Sequence, residues 1–301
     1  MSIRPVTKLI EAVPAMEGAG VRLRRAFGFG EKNEQDPFLL FDDFRGDKPS
    51  DYLAGFPWHP HRGIETITYV LAGTVAHADS LGNTGNLGAG DVQWMTAGSG
   101  IMHQEMPTGN AQGQMHGFQL WANLPSSQKL TNPRYQDVQS RDIAEVIDDD
   151  GTRVRVIIGD FWGKKGPVEG IAADPRYLDV SVPPGKKKRL AIDTRANAFA
   201  YVFEGEGTFR DASEPTGVLT ERHVEDDNPV RSTAGNRTLV TFGSGDEVVV
   251  QAGEHGVRFL LVSGRPIEEP VAWYGPIVMN TKEELQVALN DLRQGTFIKN
   301  G

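Results

Sequence analysis

The chain has 301 residues, a formal net charge of −9 from 31 basic and 40 acidic side chains, and no cysteine. The acidic balance leaves no broad basic face for nucleic-acid phosphates, and the lack of thiols excludes disulfides, thiolate nucleophiles and iron–sulfur clusters. Any metal must be held by His, Asp or Glu.

The length suggests two domains of roughly 150 residues. Thirty-five Gly and eighteen Pro, set among β-branched and aromatic residues, read as many short strands joined by tight turns, so the expected class is all-β. The N-terminus "MSIRPVTKLIEAVPAMEG" has no apolar core of a secretory signal, and no stretch approaches the roughly 20 apolar residues of a membrane span. A soluble, cytoplasmic protein without a membrane partner is expected. Two basic runs, Arg22 to Arg25 and Lys186 to Arg189, read as solvated surface turns.

The first informative stretch is "FPWHPHRGIETITYVLAG", residues 56 to 73. On a strand, residues i and i+2 share a face, so His59 and His61 can converge on one metal, with Pro60 stiffening the strand's start. Taken alone, this spacing is compatible with a metal or with none. The second stretch, "GIMHQEMP", repeats the spacing with His103 and Glu105. Three imidazoles and a carboxylate from two neighbouring strands would then face one barrel. Glu65 shares the parity of His61, but a rise of about 3.3 Å per residue carries it away, so it reads as a pocket or structural carboxylate. His77 and His116 read as ordinary hydrogen-bonded histidines, with an orienting role at the site as the alternative. His223 and His255 receive no role. Met95, Met102, Met106 and Met115 read as packing residues.

The chain also repeats itself. "YVLAGTV" at 69 and "YVFEGEG" at 201 lie 132 residues apart, and a G-x-G-D-x-x-x-x-x-A-G frame recurs at 88 and 243, 155 residues apart. Two small β-barrels in tandem are expected, with the boundary near Arg134: residues 1–134 holding the metal, residues 135–301 lacking the ligands. The two offsets map the four candidate ligands onto Ala191, Asp193, Arg258 and Leu260. The polar stretch "DASEPTGVLTERHVEDDNPVRSTAGNR" reads as a surface insertion of the second copy. The tail predicts a helix over about 281–294: Thr281 and Glu284 form a capping box, Leu285, Ala288, Leu289 and Leu292 an apolar stripe, and Gly295 a stop.

"HPHRGIETITYVLAG", "GDVQWMTAGSGIMHQEMP", "FQLWANLP" and "GPIVMNT" together resemble the pirin family of the cupin superfamily. The resemblance runs from about residue 37 to 285. It implies a bicupin with one metal site in the N-terminal barrel, held by three His and one Glu, which match His59, His61, His103 and Glu105. It further implies iron, and relatives that are quercetin 2,3-dioxygenases opening a flavonol ring with O₂ or, among eukaryotes, co-regulators of transcription factors.

A His/carboxylate set with open positions suits Fe(II). The same four N/O ligands suit a zinc site, and Mn, Ni, Co and Cu remain compatible. Two functions are therefore expected to compete: a dioxygenase taking a flavonol or another enolic small molecule with O₂, and a redox-sensing module that binds a protein partner without turnover. Glu105 is the candidate catalytic base as well as a ligand. Arg62 and Gln119 are candidates for supporting the site from behind.

Overall fold

A computed structural model describes residues 2–28, 34–169, 172–209 and 233–299. The first half supplies strands β1 (Val6–Glu11), β2 (Val13–Glu17), β3 (Val21–Phe27), β4 (Phe38–Gly46), β5 (Phe56–His61), β6 (Ile64–Ala72), β7 (Thr74–Asp79), β8 (Thr84–Leu87), β9 (Val92–Thr96), β10 (Ile101–Thr108), β11 (Met115–Asn123) and β12 (Arg134–Val138). The second half supplies β13 (Ala144–Ile147), β14 (Arg153–Ile158), a small hairpin of β15 (Asp160–Phe161) and β16 (Lys164–Lys165), β17 (Arg176–Val182), β18 (Lys187–Ala191), β19 (Asn197–Phe209), β20 (Thr233–Gly235), β21 (Thr238–Phe242) and β22 (Glu247–Gly264). The chain closes with a hairpin of β23 (Ala272–Tyr274) and β24 (Ile277–Met279), then helix α1 (Lys282–Gln294).

The expected tandem barrels are present. In the first, a seven-stranded sheet ordered β12-β9-β6-β11-β4-β3-β2 faces a four-stranded sheet ordered β5-β10-β7-β8. In the second, the corresponding order is β1-β21-β19-β22-β17-β14-β13, with β18 pairing β22 and β20 pairing β19. The two orders correspond strand for strand, so β9, β6, β11, β4 and β3 stand where β21, β19, β22, β17 and β14 stand.

This correspondence corrects the sequence-based mapping. The Gly-Asp turn at residues 88–91 precedes β9, whereas the turn at 243–246 follows β21, the strand in β9's place. The shared frame therefore joins non-equivalent turns. The rung His103–His59 of β10 and β5 corresponds to Val248–Leu190, and Glu105–His77 corresponds to Val250–Phe209. His61 falls opposite Ile192, whose N–H bonds the Asp246 carbonyl. The counterparts of the four candidates are thus Leu190, Ile192, Val248 and Val250 rather than Ala191, Asp193, Arg258 and Leu260. All four are buried in the apolar core of the second barrel.

The termini cross over. β1, from the N-terminal end, pairs with β21 of the second barrel. Arg134, the expected boundary, opens β12, which pairs with β9 of the first barrel. The C-terminal hairpin and α1 return to the first barrel: Val278 N–H donates to the Arg62 carbonyl, and a Cβ on Gly63 (φ +76°) would lie 1.9 Å from the Val278 oxygen. Only glycine lets the two backbones approach so closely.

Helix α1 has the expected capping box and a left-handed cap at Gly295. Ala288 is buried and Leu285 and Leu289 pack beside it against Ile277, Met279 and Phe297, while Leu292 lies at the exposed edge. The two barrels share a core in which Phe41 contacts Tyr201 (ring centroids 4.8 Å), Phe118 (5.7 Å) and Phe199 (5.9 Å). Truncating so buried a phenylalanine costs about 3–5 kcal/mol.

The basic runs are not simple turns. Arg22 to Arg25 lies in β3, where the partly buried Arg25 pairs with Asp42. Lys186 precedes β18, whose Lys188 is buried between Asp148 and Asp150. The expected surface insertion, with His223, lies mostly outside the described residues. No described helix is long and apolar enough to cross a membrane.

Candidate metal centre

Strands β5 and β10 are antiparallel neighbours, and their register sets His103 directly across from His59, with His61 one step along the same face. β10 alternates buried and partly buried residues, so His103 and Glu105 both point inward. A register shift between them, against β5, turns Glu105 opposite Phe56. The side-chain nitrogens of His59, His61 and His103 lie within 4.8 Å of one another. Nε2 of His59 is 3.1 Å from that of His61 and 2.8 Å from that of His103. Glu105 Oε2 stands 4.0 Å from His103 Nε2.

This cluster fits a metal ion. His59 Nδ1 donates to the Pro57 carbonyl at 2.8 Å, which puts its lone pair on Nε2, facing the other two rings. Burial, reinforced by repulsion from neighbouring imidazoles, holds His61 and His103 well below the usual histidine range, which favours neutral rings that each keep a lone pair for a metal. Neighbouring ligands at right angles on an ion with bonds of about 2.1 Å lie roughly 3.0 Å apart, the spacing found here. The donor set is nitrogen and oxygen only, compatible with several divalent transition metals.

The carboxylate is held from behind. Glu105 Oε1 lies 3.1 Å from the Thr68 hydroxyl, and the Gln119 amide N–H approaches Oε2 at 3.4 Å. Thr68 also lies 2.7 Å from Gln119 Oε1. Its single proton serves one of the two acceptors at a time. Burial pushes the Glu105 carboxyl upward, against the opposing pull of His59 and these hydrogen bonds.

The site opens into a cavity of about 420 Å³. Its walls include Phe44, Phe56, Trp58 and Trp121, and Pro276 reaches it from the C-terminal hairpin. The Trp121 ring stands edge-on to His61 at 5.3 Å. Such a volume, mostly apolar with a few convergent polar groups, is that of a small-molecule pocket.

Residues covering most of the first barrel, 20–122, match the Pirin family model, and residues 177–298 match the model of the pirin C-terminal cupin domain. The chain belongs to the pirin family. It is 43% identical over 298 residues to a pirin-like protein of Caulobacter vibrioides, covering 99% of this chain and 100% of that one. Human pirin is 39% identical over 302 residues, covering 100% of this chain and 95% of the relative. The crystal structure of an Acinetobacter baumannii quercetin 2,3-dioxygenase superposes with a TM-score of 0.84 at 30% identity, covering 98% and 99% of the two chains. This pirin-family chain is therefore a bicupin.

The remaining sequence candidates separate. Gln119 lines the cavity beside Glu105. Arg62 turns away: its guanidinium donates to Asp291 Oδ2 and the Phe297 carbonyl, each at 2.8 Å, and stacks 4.2 Å from the Phe297 ring. His77 is buried opposite Glu105, stacked on Tyr135 and 3.5 Å from Asp137. His116 lies near Asp43 and Phe203, between the barrels. Glu65 accepts from Thr96 at 2.7 Å within the wall and does not line the cavity. Met95 and Met115 are fully buried in apolar clusters, while Met102 and Met106 are partly buried. Sequence reasoning missed Thr68, Asp42 and Arg25. Two adjacent aspartates inside the otherwise apolar "FLLFDDF" were the available signal.

Proposed function

We infer that this chain is a non-haem Fe(II) dioxygenase that opens a planar enolic aromatic, with flavonols such as quercetin as the class, using O₂. The observation that supports the reading is the convergence of His59, His61 and His103, with Glu105 beside them, next to an aromatic-walled cavity that His59, His61 and Glu105 line and that is wide enough for such a molecule. The likeness to the Acinetobacter dioxygenase supports it.

Bound iron would make an enolic oxygen more acidic and supply redox reactivity toward O₂. The chain does the rest. His59, His61, His103 and Glu105 are the proposed ligands. Phe56, Trp58 and Trp121 flank the aromatic rings and exclude water. Glu105 Oε2 takes the enolic proton, a role suited to a carboxyl whose proton affinity burial raises. Gln119 approaches that oxygen, and Thr68 holds the other carboxylate oxygen, Oε1, so the pair fixes the plane of the carboxylate.

Oxygen uptake by iron-loaded protein with quercetin tests the reading. One O₂ consumed per flavonol lost, absent from His103→Ala, is expected. No uptake above that variant, with full metal content in the wild type, would favour the non-enzymatic module with a protein partner.

A further inference from the structure

The inner faces of the two barrels differ across a whole row. In the second barrel, Val156, Leu178, Leu261, Ala200 and Val240 occupy consecutive rungs of adjacent strands, all in its apolar core. The equivalent rungs of the first barrel are Arg25, Asp42, Gln119, Thr68 and Gln93. Asp42, Thr68 and Gln93 are buried. A buried ion pair is seldom more stabilising than hydrocarbon of similar volume, and the second barrel closes with hydrocarbon at these positions. The barrel fold itself therefore does not require the polar row.

Thr68 and Gln119 serve Glu105. Arg25 and Asp42 serve one another: Arg25 Nε and Nη2 donate to the two oxygens of Asp42, both at 2.8 Å, and Nη2 also reaches Glu17 at 2.9 Å. All three side chains line the cavity that His59, His61 and Glu105 also line. The fork uses one acceptor position on each Asp42 oxygen, and a carboxylate has about four. Burial pushes Asp42 up to about 6, opposed by Arg25, so it is an anionic acceptor at neutral pH.

We propose that the Arg25–Asp42 pair is a second recognition point of the pocket, with Asp42 accepting from a phenolic hydroxyl remote from the substrate's enolic end. The inference rests on the cavity being the substrate pocket of the proposed dioxygenase. It narrows the class to flat polyphenols with a donor hydroxyl away from the reacting enolone.

The test is equilibrium binding without turnover, read anaerobically by quenching of Trp58 and Trp121 fluorescence on metal-loaded protein. Quercetin, hydroxylated on both outer rings, is compared with 3-hydroxyflavone, which has only the enolone. The wild type is expected to prefer quercetin by about tenfold or more, the value of a hydrogen bond to a charged group. The paired variant Arg25→Val/Asp42→Leu imports the second barrel's own residues. It is expected to keep its circular dichroism and metal content and to bind both probes as the wild type binds 3-hydroxyflavone. Should that variant fail to fold, Asp42→Asn is expected to lower the preference at least fivefold. Equal wild-type binding of the two probes, or a preference that survives in the folded variant, overturns the proposal. A wild type that shows the preference yet consumes no oxygen removes the dioxygenase reading and leaves the recognition point standing.

Discussion

Tyr69 and Tyr201 occupy the same place in the two barrels, and each reaches across to an aspartate of the other: Tyr69 donates to Asp179 Oδ2 at 2.7 Å and Tyr201 to Asp43 Oδ2 at 3.0 Å. The two aspartates are themselves equivalent, on β17 and β4, and both are buried. Arg258 neutralises Asp179 and Arg45 neutralises Asp43. The two halves thus share the contact between them while their interiors differ. Tyr69→Phe and Tyr201→Phe are each expected to destabilise the protein by about 1–2 kcal/mol, since a buried carboxylate loses one of several donors. Urea titration of the variants checks this.

Metal binding is expected to stabilise the native state, because the unfolded chain does not hold the three imidazoles together. At free metal about 100-fold above the dissociation constant, the gain is about 2.7 kcal/mol. Chelator treatment should therefore lower the melting temperature of the wild type. His103→Ala, lacking the imidazole paired across from His59, should show no such response and well under one metal per chain by elemental analysis.

Glu65 supplies a pH dependence away from the centre. Burial raises its carboxyl from 4.5 to about 7, with Thr96 opposing. Because the folded value lies above the unfolded one, its contribution is fully present below about pH 4.5 and is lost as pH rises through about 7. The span corresponds to roughly 3 kcal/mol. Glu65→Gln keeps an acceptor for Thr96 and removes the titration. The wild-type-minus-variant difference in unfolding free energy should therefore decline between pH 4.5 and 7 and flatten above.

Arg62 is expected to hold the C-terminal segment rather than the substrate. Arg62→Met removes the bonds to Asp291 and Phe297, and leaves Asp291, held at about 2 by Lys299 and Arg62, with Lys299 alone. Asp291 keeps its charge partner, so the loss is that of the two hydrogen bonds made by the buried guanidinium, about 1–3 kcal/mol. Hydrogen exchange should accelerate in residues 282–294 while β19 and β22 keep their protection.

The metal candidates were legible because a period of two on a strand is a local property: His59, His61, His103 and Glu105 declare a common face within a few residues. The capping box of α1 was legible for the same reason. The register between the halves was not. Gly-Asp turns recur between strands for local backbone reasons, so a matched turn does not identify a matched strand, and only pairing placed β9 opposite β21 in the comparison. The polar row was hidden more deeply. Arg25, Asp42, Gln119 and Thr68 lie on four strands far apart in sequence, each passing as an ordinary departure from apolar alternation, and their adjacency exists only across the sheet.

The crossing of the termini has a consequence for biosynthesis. Translation delivers the three histidines before strands β13 to β22 of the second barrel, but Pro276, which lines the cavity, and Val278, which bonds the Arg62 backbone, only after them. The nascent first barrel lacks one wall until the β23–β24 hairpin has left the ribosome. Completion of the pocket therefore waits until the second barrel has been made.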